Sequence, residues 1–571
     1  MCRNNIIDYD RRTVLKSLLI GINSKFTHTS LSVRTLSANS NGTEFCEFTI
    51  NENVLDVAAN IYAKQPDVLC FSCYIWNIEY VLKLASTLKK MLPDSIIIFG
   101  GPEVSYSAAD TLEKYPFVNA VIRGEGEETF KELTENNFAF ANVKGITYRN
   151  DEIIQNPHRE QVQNLDSLQF PYTKEDLLKN KGKLIYYESS RGCPFGCSYC
   201  LSSAERGVRF KSIEKVKEEL QFLIDSKPAT IKFVDRTFNA DPGRSIELIK
   251  FMIDSGEGTT FHFEIEAHSI SNEFLELVRS APKGMFRFEI GIQSTNPDTL
   301  RAINRNPDIE KLLANIKKII SLDNVHVHLD LIAGLPFETY DTFKISFNNV
   351  MSLEPDVMQL GFLKLLKGTK ILREKEIFSY KCTDFPPYEI ISNEFITCKE
   401  IIKLKKIEFL VDKYFNSGAF GNSLKYMKYK FGDYMSLFES LSLYFEEKGY
   451  FNLNHSRDGL YSIFAEFGKE DTLFLNLLKF DYFSNTKNAS TPVWSAEAYN
   501  MEVHKKRAEI IEENRNTIFS DRPVRDILKN VHFEEFSWDL ENKKQEKWIG
   551  VFAKSGRFLG KINNNWEDNR E

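Results

Sequence analysis

The sequence predicts an α/β chain in three parts: an N-terminal doubly wound parallel sheet, a central partial (β/α)6 barrel, and a mainly helical C-terminal extension with terminal strands. Three observations predict it. Residues 14–135 alternate short apolar runs with helical patterns, the mark of βαβ units. Residues 183–370 repeat strand and helix six times, with polar residues at every second position of several strands. From about residue 375 the alternation stops. At 571 residues and 42% hydrophobic, the chain has material for about three cores.

In the first part, residues 14–135, the apolar runs are Val14–Ile20, Phe45–Ile50, Val68–Ser72, Ile96–Phe99 and Ala120–Ile122, with helical stretches such as Ile78–Met91 between them. Ligands of open parallel sheets bind at the loops that follow the strands. Three such loops stand out: Ser72-Cys-Tyr-Ile-Trp-Asn77, Gly100-Gly-Pro-Glu-Val-Ser105 and Arg123-Gly-Glu-Gly-Glu127. Their glycines either let a ligand approach the backbone or only make tight βα turns; the residues alone leave both open.

Residues 136–182 read as a connector with a short hairpin at Gly145–Gln155. The barrel strands of residues 183–370 are Leu184–Ser189, Ile231–Val234, Phe261–Ala267, Phe286–Ile292, Val325–Ile332 and Val357–Phe362, separated by helices such as Ile213–Asp225 and Ile309–Ser321. His262, Glu264, Glu266 and His268 alternate with Phe261, Phe263, Ile265 and Ala267; Arg287, Glu289, Gly291 and Gln293 with Phe286, Phe288, Ile290 and Ile292; His326, His328 and Asp330 with Val325, Val327, Leu329 and Leu331. Side chains alternate across a strand, so each strand has an apolar face for the helices and a polar face for a lumen. An antiparallel sheet with one wet face would show the same alternation, but not the intervening helices. The last part, residues 375–571, is rich in Phe, Tyr and Lys, with helical stretches at Glu400–Tyr414 and Met435–Tyr444 and strands near Trp548–Phe552 and Phe558–Ile562. It carries no legible chemistry.

The net charge of −7, from 73 basic and 80 acidic residues, gives no strong nucleic-acid signal. The first residues, MCRNNIIDYDRRTVLKS, lack the apolar stretch of a signal peptide, and no apolar run approaches the roughly 20 residues of a membrane helix. The expectation is a cytoplasmic protein without membrane contact.

Nine cysteines, an odd and sparse set, do not make a disulfide scaffold. Three of them fall within Arg191-Gly-Cys-Pro-Phe-Gly-Cys-Ser-Tyr-Cys200, just after the first barrel strand. Thiolates suit iron–sulfur clusters or zinc. A structural zinc site needs four closed ligands, and no fourth Cys or His lies nearby in sequence. Three thiolates on a four-iron cube leave one iron open to a cofactor or substrate.

The C-x3-C-x2-C spacing of Cys193, Cys197 and Cys200 resembles the radical S-adenosylmethionine superfamily. The resemblance implies a [4Fe–4S] cluster on these cysteines, S-adenosylmethionine on the open iron, and reductive cleavage to a 5′-deoxyadenosyl radical. It further implies cofactor contacts by Tyr199 (adenine), Asp235 (methionine amino group), Glu266 and Gln293 (ribose or methionine) and Gly334 (backbone near adenine). The family's usual Gly-Gly-Glu is replaced here by Val234-Asp-Arg236. The N-terminal part, joined in this order, resembles the cobalamin-binding domain of cobalamin-dependent radical enzymes. That resemblance places cobalamin at Ser72, Tyr74, Gly100, Gly101, Glu103, Gly124 and Glu125. The Asp-x-His-x-x-Gly motif that supplies a histidine to cobalt is absent, and His28, the one histidine of residues 14–135, sits in a different context. Over its whole length the chain is similar to a subgroup of cobalamin-binding radical proteins marked by the Phe/Tyr-rich end.

The resemblance implies methyl transfer to an unactivated carbon of a small-molecule or peptide substrate, with an electron from a reductant such as flavodoxin or ferredoxin. A radical rearrangement without methyl transfer is the alternative within this class. Two other classes are a metal-dependent hydrolase built on His326, His328 and Asp330, which leaves the three cysteines unused, and a non-enzymatic iron–sulfur sensor, which has no use for a polar lumen.

Overall fold

The computed structural model describes residues 14–203, 207–306, 308–487, 490–498, 507–514, 518–519 and 523–563; the polar N-terminal stretch read above begins outside them. The described chain forms two compact units. One runs to Phe343 and resumes at Gly361–Cys398; the other comprises Lys344–Leu360 and the chain from Lys399 onward.

The first unit opens with β1 (Ser17–Asn23), β2 (Phe45–Thr49), β3 (Val68–Ser72), β4 (Ile96–Gly100) and β5 (Ala120–Ile122). Each is a short apolar run, and β1, β3, β4 and β5 are sealed along most of their length, as befits strands covered on both faces by helices. All pair in parallel. The hairpin expected at Gly145–Gln155 exists as β6 (Ile146–Asn150) and β7 (Glu152–Gln155), but it is not a separate connector: β6 pairs antiparallel with β5 and extends the sheet to seven strands, in the order β2-β1-β3-β4-β5-β6-β7. The N-terminal layer is therefore a parallel sheet with an antiparallel edge.

The second sheet is built from β8 (Ile185–Tyr187), β11 (Thr230–Phe233), β12 (Thr260–Glu264), β13 (Phe286–Gln293), β14 (His326–Ala333) and β15 (Val357–Phe362), lying side by side in chain order. The pairs from β8 to β14 are parallel, as a partial barrel requires. The boundary between the two units falls within β15. Phe261, Phe263, Phe286, Phe288, Val327 and Leu329 are fully buried. Each is worth about 1.5–3 kcal/mol of apolar burial, and together they fix which face of each strand meets the helices. The helices between are cut by ordinary signals: Ser212 caps Ile213–Asp225, and Asp241 caps Pro242–Ser255 with proline at its first position.

An element the strand pattern did not announce lies between β8 and β11. Here β9 (Ser190–Cys193) and β10 (Gly207–Phe210) form an antiparallel hairpin, and the three-cysteine segment begins at its end.

The second unit holds helices at Tyr434–Glu447, Arg457–Phe467 and Thr472–Asn485 and a three-stranded antiparallel sheet, Val531–Phe536, Trp548–Ala553 and Arg557–Asn563. Its helical core is aromatic: Tyr414, Phe420, Tyr461 and Phe464 are sealed and pack ring against ring. Lys479 and Glu534 form a buried ion pair at 2.5 Å.

Candidate functional site

The cysteine segment is held by the hairpin beneath it. Gly192, at φ +95°, faces Gly207 so closely that a β-carbon would stand 2.1 Å from the Gly207 carbonyl oxygen. The segment's far end is tied by Ser198 N–H donating to Ile303 O, and Cys200 N–H donates to Cys197 O. Cys197 is buried, while Cys193 and Cys200 are half-buried. Burial pushes the Cys197 thiol up, and Arg305 opposes that shift. Cys193 Sγ lies 3.4 Å from Thr237 Oγ1. Such a set suits a cluster in which each thiolate holds its own iron. Among the described residues no three His, Cys, Asp or Glu side chains converge as a single-ion site, His326, His328 and Asp330 included.

Arg305, which the sequence pattern did not single out, reaches this segment from a polar loop. Its guanidinium lies 3.7 Å from Cys197 Sγ and 3.4 Å from the Tyr199 hydroxyl, and it donates to Gly291 O at 2.7 Å. A fixed cation thus stands beside one cysteine and the aromatic residue expected at adenine.

The lumen beyond is polar, as the alternation predicts. Glu289 accepts from Lys232 and pairs with His262, each at 3.1 Å, and the His262 bond, with help from Lys232, holds it down at about 2. Burial pushes Glu264 up to about 7, and pushes Asp330 up to about 8 with help from Glu289 and Glu264. Asp330 Oδ1 is shut off from solvent without a hydrogen-bond partner. So is Oε1 of Gln293, whose backbone turns to φ +70° at a bulge and whose amide fills the space a side chain at Gly291 would need. Two orphaned acceptors facing one lumen suit a donor-rich ligand such as a ribose and an α-amino group.

The other expected S-adenosylmethionine contacts are committed within the protein. Asp235 is sealed, accepting from Ser189 N, Ser189 Oγ and Ser190 Oγ at 2.5–2.8 Å, so it fastens the turn from β8 into the hairpin. Glu266 lies past the end of β12 and accepts from His268 N, His268 Nδ1 and Ser269 N. The Gly334 carbonyl accepts from Tyr380 and Asn393.

The three N-terminal loops do lie together at the carboxyl edge of the sheet, but their residues differ in what they leave free. Gly101, at φ +108°, is a tight-turn glycine: a β-carbon would stand 2.6 Å from the Cys73 carbonyl oxygen. Glu103 is buried, accepting from Lys367 Nζ at 2.9 Å and Tyr388 hydroxyl at 2.6 Å. Glu125 accepts from Arg209 at 2.5 Å and from Val162 N at 2.8 Å, and lies 3.5 Å from Arg191. Gly124, at φ +73°, by contrast faces open space, and Gly100 has room beside Ile122. Ser72 ends β3 opposite Gly100, and beyond it Tyr74 stacks on half-exposed Trp76 at 4.3 Å. Gly100, Gly124 and the Tyr74–Trp76 pair are thus the parts of this edge that fit a large flat cofactor. His28 is tied elsewhere, bonded through Nδ1 to the Tyr186 hydroxyl at 3.0 Å.

Comparison with known proteins assigns the class. Residues 18–134 match the B12 binding domain, residues 187–348 the radical SAM superfamily, and residues 376–552 a family described as a protein of unknown function, DUF4080. The chain thus carries a B12-binding-type domain followed by a radical S-adenosylmethionine-type domain. The domain pair implies a [4Fe–4S] cluster, S-adenosylmethionine and cobalamin as cofactors. The chain is 25% identical over 323 residues to the cobalamin-dependent radical SAM methyltransferase TokK of Streptomyces tokunonensis, covering 52% of this chain and 47% of TokK. It is 28% identical over 329 residues to the uncharacterized methyltransferase PH0819 of Pyrococcus horikoshii, covering 55% and 71%. It thus spans about half of the first of these relatives. The fold is similar to that of the cobalamin-dependent S-adenosylmethionine radical enzyme OxsB, with TM-score 0.56 at 16% identity over 89% of this chain and 82% of that one. It is also similar to the radical S-adenosylmethionine methyltransferase TsrM of Kitasatospora setae, with TM-score 0.55 at 13% identity over 66% and 78%.

Proposed function

We propose that this protein is an enzyme that activates an unactivated carbon of a small-molecule or peptide substrate by radical chemistry and methylates it. The observation that carries the reading is the placement of the Cys193–Cys200 segment on a hairpin clamped by Glu125 and Glu127 of the cobalamin-type domain, at the mouth of a polar lumen with two orphaned acceptors. The methyltransferase names of its relatives support it. No helix among the described residues is long and apolar enough to cross a membrane.

When bound, the cluster, S-adenosylmethionine and cobalamin supply the radical and the methyl group; the protein's part is to hold, orient and shield them. Cys193, Cys197 and Cys200 hold the cluster. Arg305 is placed to pair with the methionine carboxylate, because it is a fixed cation beside the iron ligands. Tyr199 offers its ring to adenine. Asp330 and Gln293 offer their unpaired oxygens to the ribose hydroxyls and the amino group. Gly100, Gly124, Ser72 and Tyr74 line the edge open to the corrin. A reductant of the flavodoxin or ferredoxin type delivers the electron.

With a strong reductant, the anaerobically reconstituted protein is expected to form 5′-deoxyadenosine from S-adenosylmethionine without its substrate, and the triple variant with Cys193, Cys197 and Cys200 changed to alanine is not. Equal yields from the two proteins, measured by chromatography, would refute the reading. For cobalamin, His28→Ala is expected to leave the cobalt absorption spectrum unchanged, since His28 is bonded to Tyr186. A shift of the bands would show that the imidazole reaches cobalt.

A further inference from the structure

Three consecutive residues that follow the helix Pro297–Ala302 lace onto the cysteine segment. The Ile303 carbonyl accepts from Ser198 N–H at 3.1 Å, Asn304 Nδ2 donates to the Gly196 carbonyl at 3.1 Å, and Arg305 Nη1 lies 3.7 Å from Cys197 Sγ. The first two bonds grip the residues on either side of Cys197. The third puts a cation on its sulfur. The guanidinium is pinned elsewhere too: Nη2 donates to Gly291 O at 2.7 Å, and Nη1 reaches the Tyr199 hydroxyl at 3.4 Å. Cys197 is the buried member of the three cysteines. Thr237 also stands at a sulfur, 3.4 Å from Cys193 Sγ, but its single proton goes to Arg236 O at 2.7 Å. Arg305 is therefore the fixed donor at these thiols.

We propose that Arg305 sets the reduction potential of the cluster, raising it through a charge-assisted hydrogen bond to the Cys197 thiolate. When the reductant passes one electron to the cluster, no bond forms or breaks, and the cluster with its thiolates gains one negative charge. A fixed cation favours the more negative state, and most strongly where water is excluded, as it is at Cys197. Hydrogen bonds to the sulfurs and solvent exposure are among the levers that set cluster potentials. Arginine stays protonated throughout, so its charge does not leave as the electron arrives. Cys197, Tyr199 and Gly291 engage three of its five N–H groups, which leaves donors for the methionine carboxylate as well. The inference rests on the placement of the cluster on Cys193, Cys197 and Cys200 proposed above, and not on methylation.

The test is a dye-mediated redox titration of the full-length protein, reconstituted anaerobically and kept free of S-adenosylmethionine. The electron paramagnetic resonance signal of the reduced cluster reports the extent of reduction. Leaving out S-adenosylmethionine separates an effect on potential from one on cofactor binding. Arg305→Met is expected to lower the ratio of reduced to oxidised cluster at a fixed potential about tenfold, a midpoint about 59 mV more negative for one electron. Arg305→Gln, which keeps N–H donors without the charge, should shift the same way, and Arg305→Lys, which keeps the charge, should lie nearer to wild type. Arg301→Met removes an equal charge four residues away, but Arg301 is 59% exposed and paired with Asp298 at 2.5 Å, so its midpoint should match wild type. Midpoints of the Met and Gln variants equal to wild type, or more positive, overturn the proposal. So does loss of the cluster from both neutral variants, because Arg305 would then be needed to gather the thiolates rather than to tune the iron. Wild-type protein with no iron–sulfur signal refutes the cluster reading itself, whereas a wild-type cluster whose potential ignores Arg305 refutes only this role.

Discussion

Gly192→Ala is expected to strip the protein of its iron. Gly192 sits at φ +95°, where an L side chain already costs about 1–3 kcal/mol. Its missing β-carbon also points at the backbone: it would lie 2.1 Å from the Gly207 carbonyl oxygen. A carbonyl in a paired strand cannot swing aside as the end of a side chain can, so the hairpin must open or slip. The register there pairs Gly207 with Cys193 and Val208 with Gly192, so any slip moves the first ligand of the cluster. Iron after anaerobic reconstitution should fall to the level of the triple-cysteine variant, while the far-ultraviolet circular dichroism of the fold survives. Gly182→Ala is the matched control: its φ is +86°, but nothing lies within 4 Å of the β-carbon, so it should pay the backbone cost and keep its iron. A fully loaded Gly192→Ala protein would mean that the hairpin does not govern how the cysteines are presented.

The hairpin shows why part of this site was illegible in the sequence. The central strands of both sheets could be read because their signal is local: continuous apolar runs such as Val68–Ser72, or apolar and polar residues in alternation such as Phe286–Gln293. Ser190-Arg-Gly-Cys193 and Gly207-Val-Arg-Phe210 carry neither pattern. Their pairing is enforced by a glycine contact and by carboxylates from a loop more than sixty residues earlier in the chain. The same limit governs the acidic residues of the N-terminal loops. Glu103 and Glu125 stand in glycine-rich turns where a ligand contact is a natural reading, yet their charges go to Lys367 and Arg209. Gly101 and Gly124 look alike as letters. One is filled by the Cys73 backbone and the other faces open space. Arg305 gave no signal because a lone arginine in a polar loop reads as a solvated charge until the fold brings it to Cys197.

Arg191→Met is expected to destabilise the first unit by about 3–5 kcal/mol, the range for removing one partner of a buried ion pair. The guanidinium, 12% exposed, lies 2.5 Å from Glu127, 2.9 Å from Glu188 and 3.5 Å from Glu125. Arg209, its cross-strand neighbour in the hairpin, closes the network on Glu125 at 2.5 Å. Two like charges side by side on paired strands would repel; the three carboxylates turn that repulsion into a clamp between the cobalamin-type sheet and the cysteine hairpin. Without Arg191, Glu127 and Glu188 keep their charges in a place that water reaches poorly, and the cost is that of the stranded carboxylates more than of the lost bonds. Adding Glu127→Gln and Glu188→Gln to Arg191→Met should therefore recover a good part of the stability, a non-additivity expected only within one network. Urea unfolding gives the energies, and hydrogen exchange over residues 190–193 and 207–210 shows where the loss falls. A single variant within about 0.5 kcal/mol of wild type, the range of an ordinary surface change, would mean that the two domains are held together by something other than this arginine.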